Sequence, residues 1–342
     1  MTSAAPTTQP DSDEIAAEAI DRLELSVDPA ARRGFFAVHD IIMLVYLGLM
    51  RGLLYMTAPE ASVGRRLELS LVVLLTGCIV RALPSDTWGA RIGHAWRRRI
   101  QGTVYRLALV FVVAQSYLIL RELLPILNTG SLDAELLAID EALFGVTPAL
   151  VLERLNTRPI IEWFSFFYFS YFILCAGYTA SALWLVRDRQ VMSVYAIGCT
   201  IVLFVGQTLY VAVPGFGPIR YLASSFAGPL DGGFFWGLVI GTVERGGAMK
   251  DIFPSLHTAL PTWFTLFAFH AASVDKRWRI PAYVTGFFAV NIVFSTMLLR
   301  WHYAIDVVAG LVLAFSAAAI ARWAAPLEAR YRHRQGLLSP WP

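Results

Sequence analysis

The chain has 342 residues, of which 57% are hydrophobic and 15% charged, so it is far more apolar than an ordinary soluble domain. Its net charge is only +3, and the basic residues stand in short blocks between apolar segments, which excludes nucleic acid as a partner. Cys78, Cys175 and Cys199 lie inside apolar runs without metal-ligand spacing. Neither a disulfide framework nor a zinc cluster is indicated. The sequence predicts a polytopic membrane protein.

The chain begins with a Ser/Thr/Pro/Asp-rich stretch that becomes acidic and then amphipathic. We expect residues 1–33 to form a partly disordered tail with one surface helix, and no cleaved signal. Eight later segments have about the 17 to 25 apolar residues of a membrane span, which predicts an all-α fold. They are residues 36–57, 67–83, 105–126, 160–186, 191–213, 256–273, 280–299 and 303–323.

These segments suggest an order of parts along the chain. Residues 34–104 are predicted to form two accessory spans and a basic loop, 105–325 a six-helix catalytic domain, and 326–342 a basic tail. Lys and Arg predominate in the connections on the side of the N-terminus, which predicts cytoplasmic termini. Connections 127–159 and 214–254 would then face outward from a bacterial plasma membrane. The sequence assigns no oligomeric state.

Two histidines reach the same predicted membrane face. His257 opens the sixth span, and His302 lies at the outer junction of the seventh and eighth. Asp306 follows His302 by one helical turn, so its carboxylate can hold one ring nitrogen while the other attacks or takes a proton. His257, which follows Pro254 and Ser255, would then protonate a leaving alkoxide. The alternatives are a packing pair at a helix start and a zinc or manganese site.

A phosphoryl group at this face requires cations and backbone donors. The irregular "VPGFGPIRY" would place Arg220 and Tyr221 beside the site, and it would need protein or water around it. Lys250 is a candidate cation that could equally pair with Asp251 at the surface. Arg300 is a further candidate, and so are Arg121 and Arg51, for which structural pairing is the alternative. The apolar "GGFFWGLVIG" at 232–241 is predicted to be a lid or lateral gate, with scaffold as the alternative.

The segments "FPSLH" and "HYAID" together resemble the phosphatidic acid phosphatase type 2 superfamily. Its second motif, Pro-Ser-Gly-His, and its third, Ser-Arg-x5-His-x3-Asp, are each matched with one replacement: Leu256 stands for the glycine and Thr296 for the arginine. The matching positions are Pro254, Ser255 and His257, then Ser295, His302 and Asp306.

Both replacements resemble the superfamily's inositolphosphotransferase branch, which includes inositol phosphorylceramide synthase, more than its phosphatases. The first superfamily motif, Lys-x6-Arg-Pro, is not evident, and "GFGPIRY" occupies its place in a form similar to that branch. The segment "AIDEALFG" at 138–145 also resembles it. The likeness covers roughly residues 105–323.

The resemblance implies a metal-independent reaction without a cofactor. His302 would form a phosphohistidine, Asp306 would orient it, and His257 would be the acid and base. Ser255, Arg220, Tyr221, Lys250, Arg300 and Arg121 would be the candidates for binding. The partners would be membrane lipids: a lipid phosphate donor giving a phosphoryl or phosphoalcohol group, such as phosphoinositol, to a hydroxyl acceptor. The alternatives are a lipid or polyprenyl phosphate phosphatase and, in another class, a lipid or anion transporter.

Overall fold

The computed structural model describes residues 34–83, 94–247 and 249–341, and within these ranges the chain forms helices and no strand. The predicted tail at 1–33 and part of the predicted basic loop lie outside the described residues. The helices are α1 Val38–Thr57, α2 Val63–Ala82, α3 His94–Leu118, α4 Leu120–Leu127, α5 Asp133–Phe144, α6 Pro148–Leu152, α7 Arg158–Trp184, α8 Arg189–Ala212, α9 Pro218–Tyr221, α10 Phe234–Gly246, α11 Leu256–Val274, α12 Arg279–Leu298 and α13 Ala304–Arg334.

All eight predicted spans are helical, but fewer meet a test of length and apolarity. Among the described residues, five helices are long and apolar enough to cross a membrane: α1, α7, α8, α13, and α12 with the short turn before it. A sixth span results if α3 and α4, bent by 52° about Ile119, are taken together. The prediction of eight spans exceeds this count by two, the helices α2 and α11.

The two predicted spans that do not meet this test, α2 and α11, fall short of it for different reasons. α2 carries Arg65, Arg66, Glu68 and Arg81, too many charges for a simple lipid-facing span. α11 has its polar side chains inside the bundle, where it packs against α7, α8, α12 and α13. It is therefore the central helix of the fold, with many of its side chains buried against its neighbours.

Small residues allow the helices around α11 to approach closely. A side chain at Gly198 of α8 would overlap the buried ring of Trp263. A Cβ at Gly310 of α13 would lie 2.6 Å from the carbonyl oxygen of Ser255, immediately before α11. These glycines permit backbone approaches that any larger residue would prevent. The first turn of α11 is consequently held against α13.

Helices α1, α2 and α3 are linked by buried polar side chains. Arg81 of α2 donates from Nη1 to Oδ2 of Asp40 in α1 at 3.0 Å, and both side chains are buried. Tyr105 of α3 donates to the other oxygen of Asp40 at 2.7 Å. The carboxylate of Asp40 thus links α1, α2 and α3. Its ion pair with Arg81 explains why an arginine lies at the end of an apolar segment.

The C-terminal residues also take part in the fold. α13 continues through most of the predicted basic tail to Arg334, and the chain then turns back toward the bundle. Trp341 is buried, stacks on His39 with ring centroids 4.9 Å apart, and donates from Nε1 to Ser193 at 2.9 Å. The segment after α13 is therefore docked between α1 and α8.

Replacing Trp341 should release this segment. Trp341→Ala removes a buried indole whose contacts are worth about 3 kcal/mol, so the undocked fraction should rise on the order of 100-fold. Tryptic cleavage after Arg334 would measure it, followed by mass spectrometry of the purified protein. Trp323→Ala, at an exposed position of α13, is the matched control. Equal cleavage of the two variants would contradict the docking.

Candidate active site

The structure brings His257 and His302 together at one end of the bundle, with ring centroids 6.4 Å apart. His257 is the second residue of α11, and Ser255 caps this helix by accepting from the backbone N–H of Thr258 at 3.2 Å. The backbone N–H of Ser255 donates to the carbonyl oxygen of Asp306 at 3.0 Å. Ser255 is fully buried, so its side chain is a helix cap that fixes one histidine relative to the other.

Asp306 orients His302 as the one-turn spacing predicts. Its Oδ2 lies 3.4 Å from Nδ1 of His302 and accepts the backbone N–H of Tyr303 at 2.9 Å. With the proton on Nδ1, the Nε2 of His302 keeps its lone pair. The carboxylate is wholly buried. The arrangement supplies a nucleophilic nitrogen with a fixed direction.

His257 is held by aromatic packing. Its ring stacks on Tyr168 with centroids 4.3 Å apart and lies 4.1 Å from the ring of Tyr171. Its Nε2 is buried and has no hydrogen-bond partner among the described residues. An imidazole nitrogen left unpaired in this way is suited to bind or exchange a proton with a group entering the cavity.

Both histidines line a cavity of about 190 Å³. Its walls combine aromatic rings with a few polar groups, a composition typical of small-molecule sites. The aromatic residues are Tyr117, Tyr168, Phe172, Phe216 and Trp301, and the charged or titratable ones are Arg220, Asp251, His257 and His302.

The loop after α8 forms one wall of this cavity. Gly217 has φ 79°, and a side chain there would overlap the carbonyl oxygen of Trp301. Ile219 donates from its backbone N–H to the carbonyl oxygen of Arg300 at 2.6 Å. The "GFGPIRY" segment is thereby pressed against the loop that carries His302, as its glycines and prolines permit.

Of the predicted binding residues in this loop, only Arg220 lines the cavity. Its side chain is exposed, contacts Sδ of Met249 at 3.6 Å, and has no ion-pair partner among the described residues. Tyr221 is 45% exposed and does not line the cavity. Arg220 is therefore the cation that the cavity offers to an anion.

Lys250 and Arg300 lie outside the cavity, with their side chains already bonded. The ammonium of Lys250 donates to the carbonyl oxygens of Asn128, Thr129 and Gly130 at 2.9 to 3.3 Å. It does so instead of pairing with Asp251, the surface alternative. The guanidinium of Arg300 is bonded among the outer loops, to Glu153 at 3.0 Å and Gly228 at 2.9 Å, over the ring of Phe226. Both cations tie loops together.

Arg121 likewise binds protein groups, at the end of α10. It donates to the carbonyl oxygens of Glu244 and Arg245 at 2.9 and 2.7 Å. At the opposite end of α10, Glu162 accepts three backbone N–H groups, from residues 233, 235 and 236, at 2.9 to 3.0 Å. A carboxylate at the start and a cation at the end of a helix both complement its dipole. The segment predicted to be a lid is thus part of a helix fastened at both ends.

Arg51, the remaining cation among the predicted candidates, pairs with Glu68 at 2.9 Å within the accessory helices.

Asp251 lines the cavity although the sequence interpretation considered it only as a partner of Lys250. Burial raises the pKa of its carboxyl above the ordinary value. No spacing in the sequence indicated this role, since its placement depends on how the loop before α11 turns. In the described part of the chain, no group of three or more His, Cys, Asp or Glu side chains could hold a metal ion.

The fold and this site define an all-helical, multi-pass membrane protein with two histidines and an aspartate around one cavity. The family model of the PAP2 superfamily, the phosphatidic acid phosphatase type 2 proteins, matches residues 134–320, more than half of the chain. The chain belongs to the PAP2 superfamily. Membership supports a function of the lipid phosphatase or phosphotransferase type. No curated protein and no solved structure is significantly similar to the chain.

Measurements of anion binding should distinguish Arg220, which lines the cavity, from Arg300, which does not. Arg220→Gln should weaken the binding of orthovanadate, a phosphate analogue, by about 10-fold or more, because one charge-assisted hydrogen bond is lost. Arg300→Gln should leave this affinity within about 2-fold, since its guanidinium faces Glu153. Isothermal titration of the detergent-solubilised protein would measure both. A larger loss in Arg300→Gln than in Arg220→Gln would contradict the assignment.

Proposed function

We propose that the protein is a membrane phosphotransferase that moves a phosphoryl or phosphoalcohol group from a lipid donor to a hydroxyl acceptor. The observation that carries this proposal is the pair of imidazoles 6.4 Å apart on one cavity, one of them held by a buried carboxylate. This separation leaves room for one phosphorus atom between a nucleophile and an acid.

In the first step, Nε2 of His302 attacks the phosphorus of the donor. A P–N bond forms as the bond from phosphorus to the lipid oxygen breaks, and His257 gives its proton to the departing oxygen. Asp306 stabilises the positive charge that develops on the imidazole of His302. Arg220 balances the charge of the transferred group.

In the second step, the acceptor hydroxyl attacks the same phosphorus. His257, now neutral, takes the proton of the hydroxyl while the P–N bond breaks. The new P–O bond completes the product, and both histidines return to their starting states. One imidazole thus acts as acid and then as base, and the proton balance closes over the cycle.

Transfer to an alcohol is favoured by the residue that replaces the third-motif arginine. Thr296 is fully buried, and its hydroxyl donates to the carbonyl oxygen of Val293 at 2.7 Å. The cation that ordinary phosphatases of this superfamily are expected to have here is therefore missing, as in the inositolphosphotransferase branch that the sequence resembles. We propose phosphoinositol as one group that is transferred, with the aromatic walls accommodating its ring.

The charge distribution along α13 supports a site on the outer face of the plasma membrane. His302 and Asp306 lie at the start of this 31-residue helix, and Arg322, Arg330, Arg332 and Arg334 lie toward its end. A helix of this length spans a bilayer, and basic residues concentrate on the cytoplasmic side. On this basis we propose cytoplasmic termini and an extracytoplasmic cavity.

The deciding experiment supplies the purified protein in lipid nanodiscs with phosphatidylinositol labelled with ³²P, with and without a lipid alcohol acceptor. A labelled product that requires the acceptor supports a transferase. Release of labelled headgroup without acceptor would instead favour the hydrolase. Transport of the lipid without covalent change would favour the transporter.

The roles of His302 and Asp306 can be tested on the covalent intermediate. His302→Ala should form no acid-labile, ³²P-labelled protein, because the attacking nitrogen is absent. Asp306→Asn should slow its formation roughly 100-fold or more, because an amide does not stabilise the imidazolium. Rapid quenching and gel autoradiography would measure the labelled protein.

Asp231→Asn, at an exposed outer-loop position, is the matched control. Labelling of His302→Ala at the normal rate would overturn the proposed nucleophile.

A further inference from the structure

Asp140 of α5 binds the start of the helix that follows His302. Its Oδ2 accepts the backbone N–H of Ala304 at 2.7 Å, and its Oδ1 accepts that of Ile305 at 2.8 Å. These are the first two residues of α13, and first-turn N–H groups have no partner within their own helix. Asp140 is 1% exposed and does not line the cavity.

Asp133, on the same face of α5 two turns earlier, binds the other loop of the site. Its Oδ2 accepts the backbone N–H of Phe216, and its Oδ1 accepts that of Gly217, each at 2.8 Å. The same Oδ1 accepts the hydroxyl of Tyr303 at 3.0 Å. This buried carboxylate therefore joins the segment that carries Arg220 to the residue after His302.

We infer that α5 positions the two loops of the active site that carry Arg220 and His302, with Asp140 and Asp133 as positioning residues that touch neither histidine. Asp140 fixes the direction in which α13 begins, and hence the direction of His302. Asp133 fixes the distance between the loop of Arg220 and that of His302. The inference rests on the proposed function and extends it to a segment outside the cavity.

Chemistry explains why carboxylates occupy both positions. Each accepts backbone N–H groups on both of its oxygens, whereas an amide replaces one of these oxygens with an NH2 group, which only donates. At the start of α13, negative charge is also favoured by the helix dipole. Misplacing reacting groups by about 1 Å costs roughly 100-fold in rate, so small shifts of these loops affect catalysis.

The test compares the enzymatic constants of two nearly isosteric variants in the full-length protein. Asp140→Asn should lower kcat roughly 10- to 100-fold with KM within about 2-fold, because the loop of Arg220 stays in place. Asp133→Asn should raise KM as well, since that loop loses its anchor. Glu135→Gln, exposed on the same helix and outside both networks, should change neither constant.

A second measurement separates positioning from general destabilisation. Hydrogen–deuterium exchange should accelerate in Asp140→Asn at the amides of residues 303–306 and remain unchanged in α8 and α11. Unchanged kcat together with unchanged exchange at these amides would overturn the inference. Accelerated exchange throughout the bundle would also overturn it, because the residue would then serve overall stability.

These experiments distinguish a failure of the proposed function from a failure of the role inferred for α5. If the unmodified protein transfers and hydrolyses nothing, the proposed function fails, while exchange at 303–306 still decides whether Asp140 holds the start of α13. If the unmodified protein is active and Asp140→Asn keeps full kcat, only the role of α5 fails.

Discussion

The contact between the start of α11 and the first turns of α13 is the constraint on which the site depends. The backbone N–H of Ser255 donates to the carbonyl oxygen of Asp306, and Gly310 leaves space for the carbonyl of Ser255. Two helices far apart in sequence therefore begin side by side. Because His257 is the second residue of one helix and Asp306 the third of the other, this contact fixes the separation of the two imidazoles.

Burial explains which cations around the site bond to protein groups and which cation is left to line the cavity. A buried ammonium or guanidinium must be satisfied by oxygens, and Lys250 and Arg300 obtain them from loop carbonyls and Glu153. Arg121 bonds the end of α10, which leaves Arg220 to the cavity. In the part of the chain that the structure describes, Arg220 is the cation that lines this cavity, and in the proposed reaction it balances the charge of the transferred group.

The sequence predicted the parts of the structure that depend on local pattern. The length of the apolar segments located the helices of all eight predicted spans. The one-turn spacing of His302 and Asp306 predicted their contact. Two of the predicted spans do not meet the test of length and apolarity, because α2 carries several charges and α11 includes polar residues such as His257 and His270. The sequence predicts Lys250 as a candidate phosphate ligand, since nothing near it in the chain indicates its carbonyl partners at 128–130, which only the fold brings to it.

The positioning carboxylates could not be derived from spacing at all. Asp140 bonds amides more than 160 positions away, and nothing local distinguishes it from the exposed acids of the same helix. The likeness of "AIDEALFG" to a known branch was the only signal that this segment mattered. Its physical basis is that unpaired amides at a buried helix start require an acceptor from elsewhere in the chain.

The two imidazoles are held by different forces, and the difference matches the tasks that they have in the proposed reaction. His302 must keep one direction toward phosphorus, and directional hydrogen bonds around it, from Asp306 and through the start of α13, provide this. His257 must exchange a proton first with a leaving oxygen and then with an entering one. Stacking on Tyr168 confines the plane of its ring but leaves Nε2 unpaired, so the nitrogen can serve both oxygens without breaking a bond to the protein. Adding a permanent partner to that nitrogen would stabilise one protonation state and slow one of the two steps.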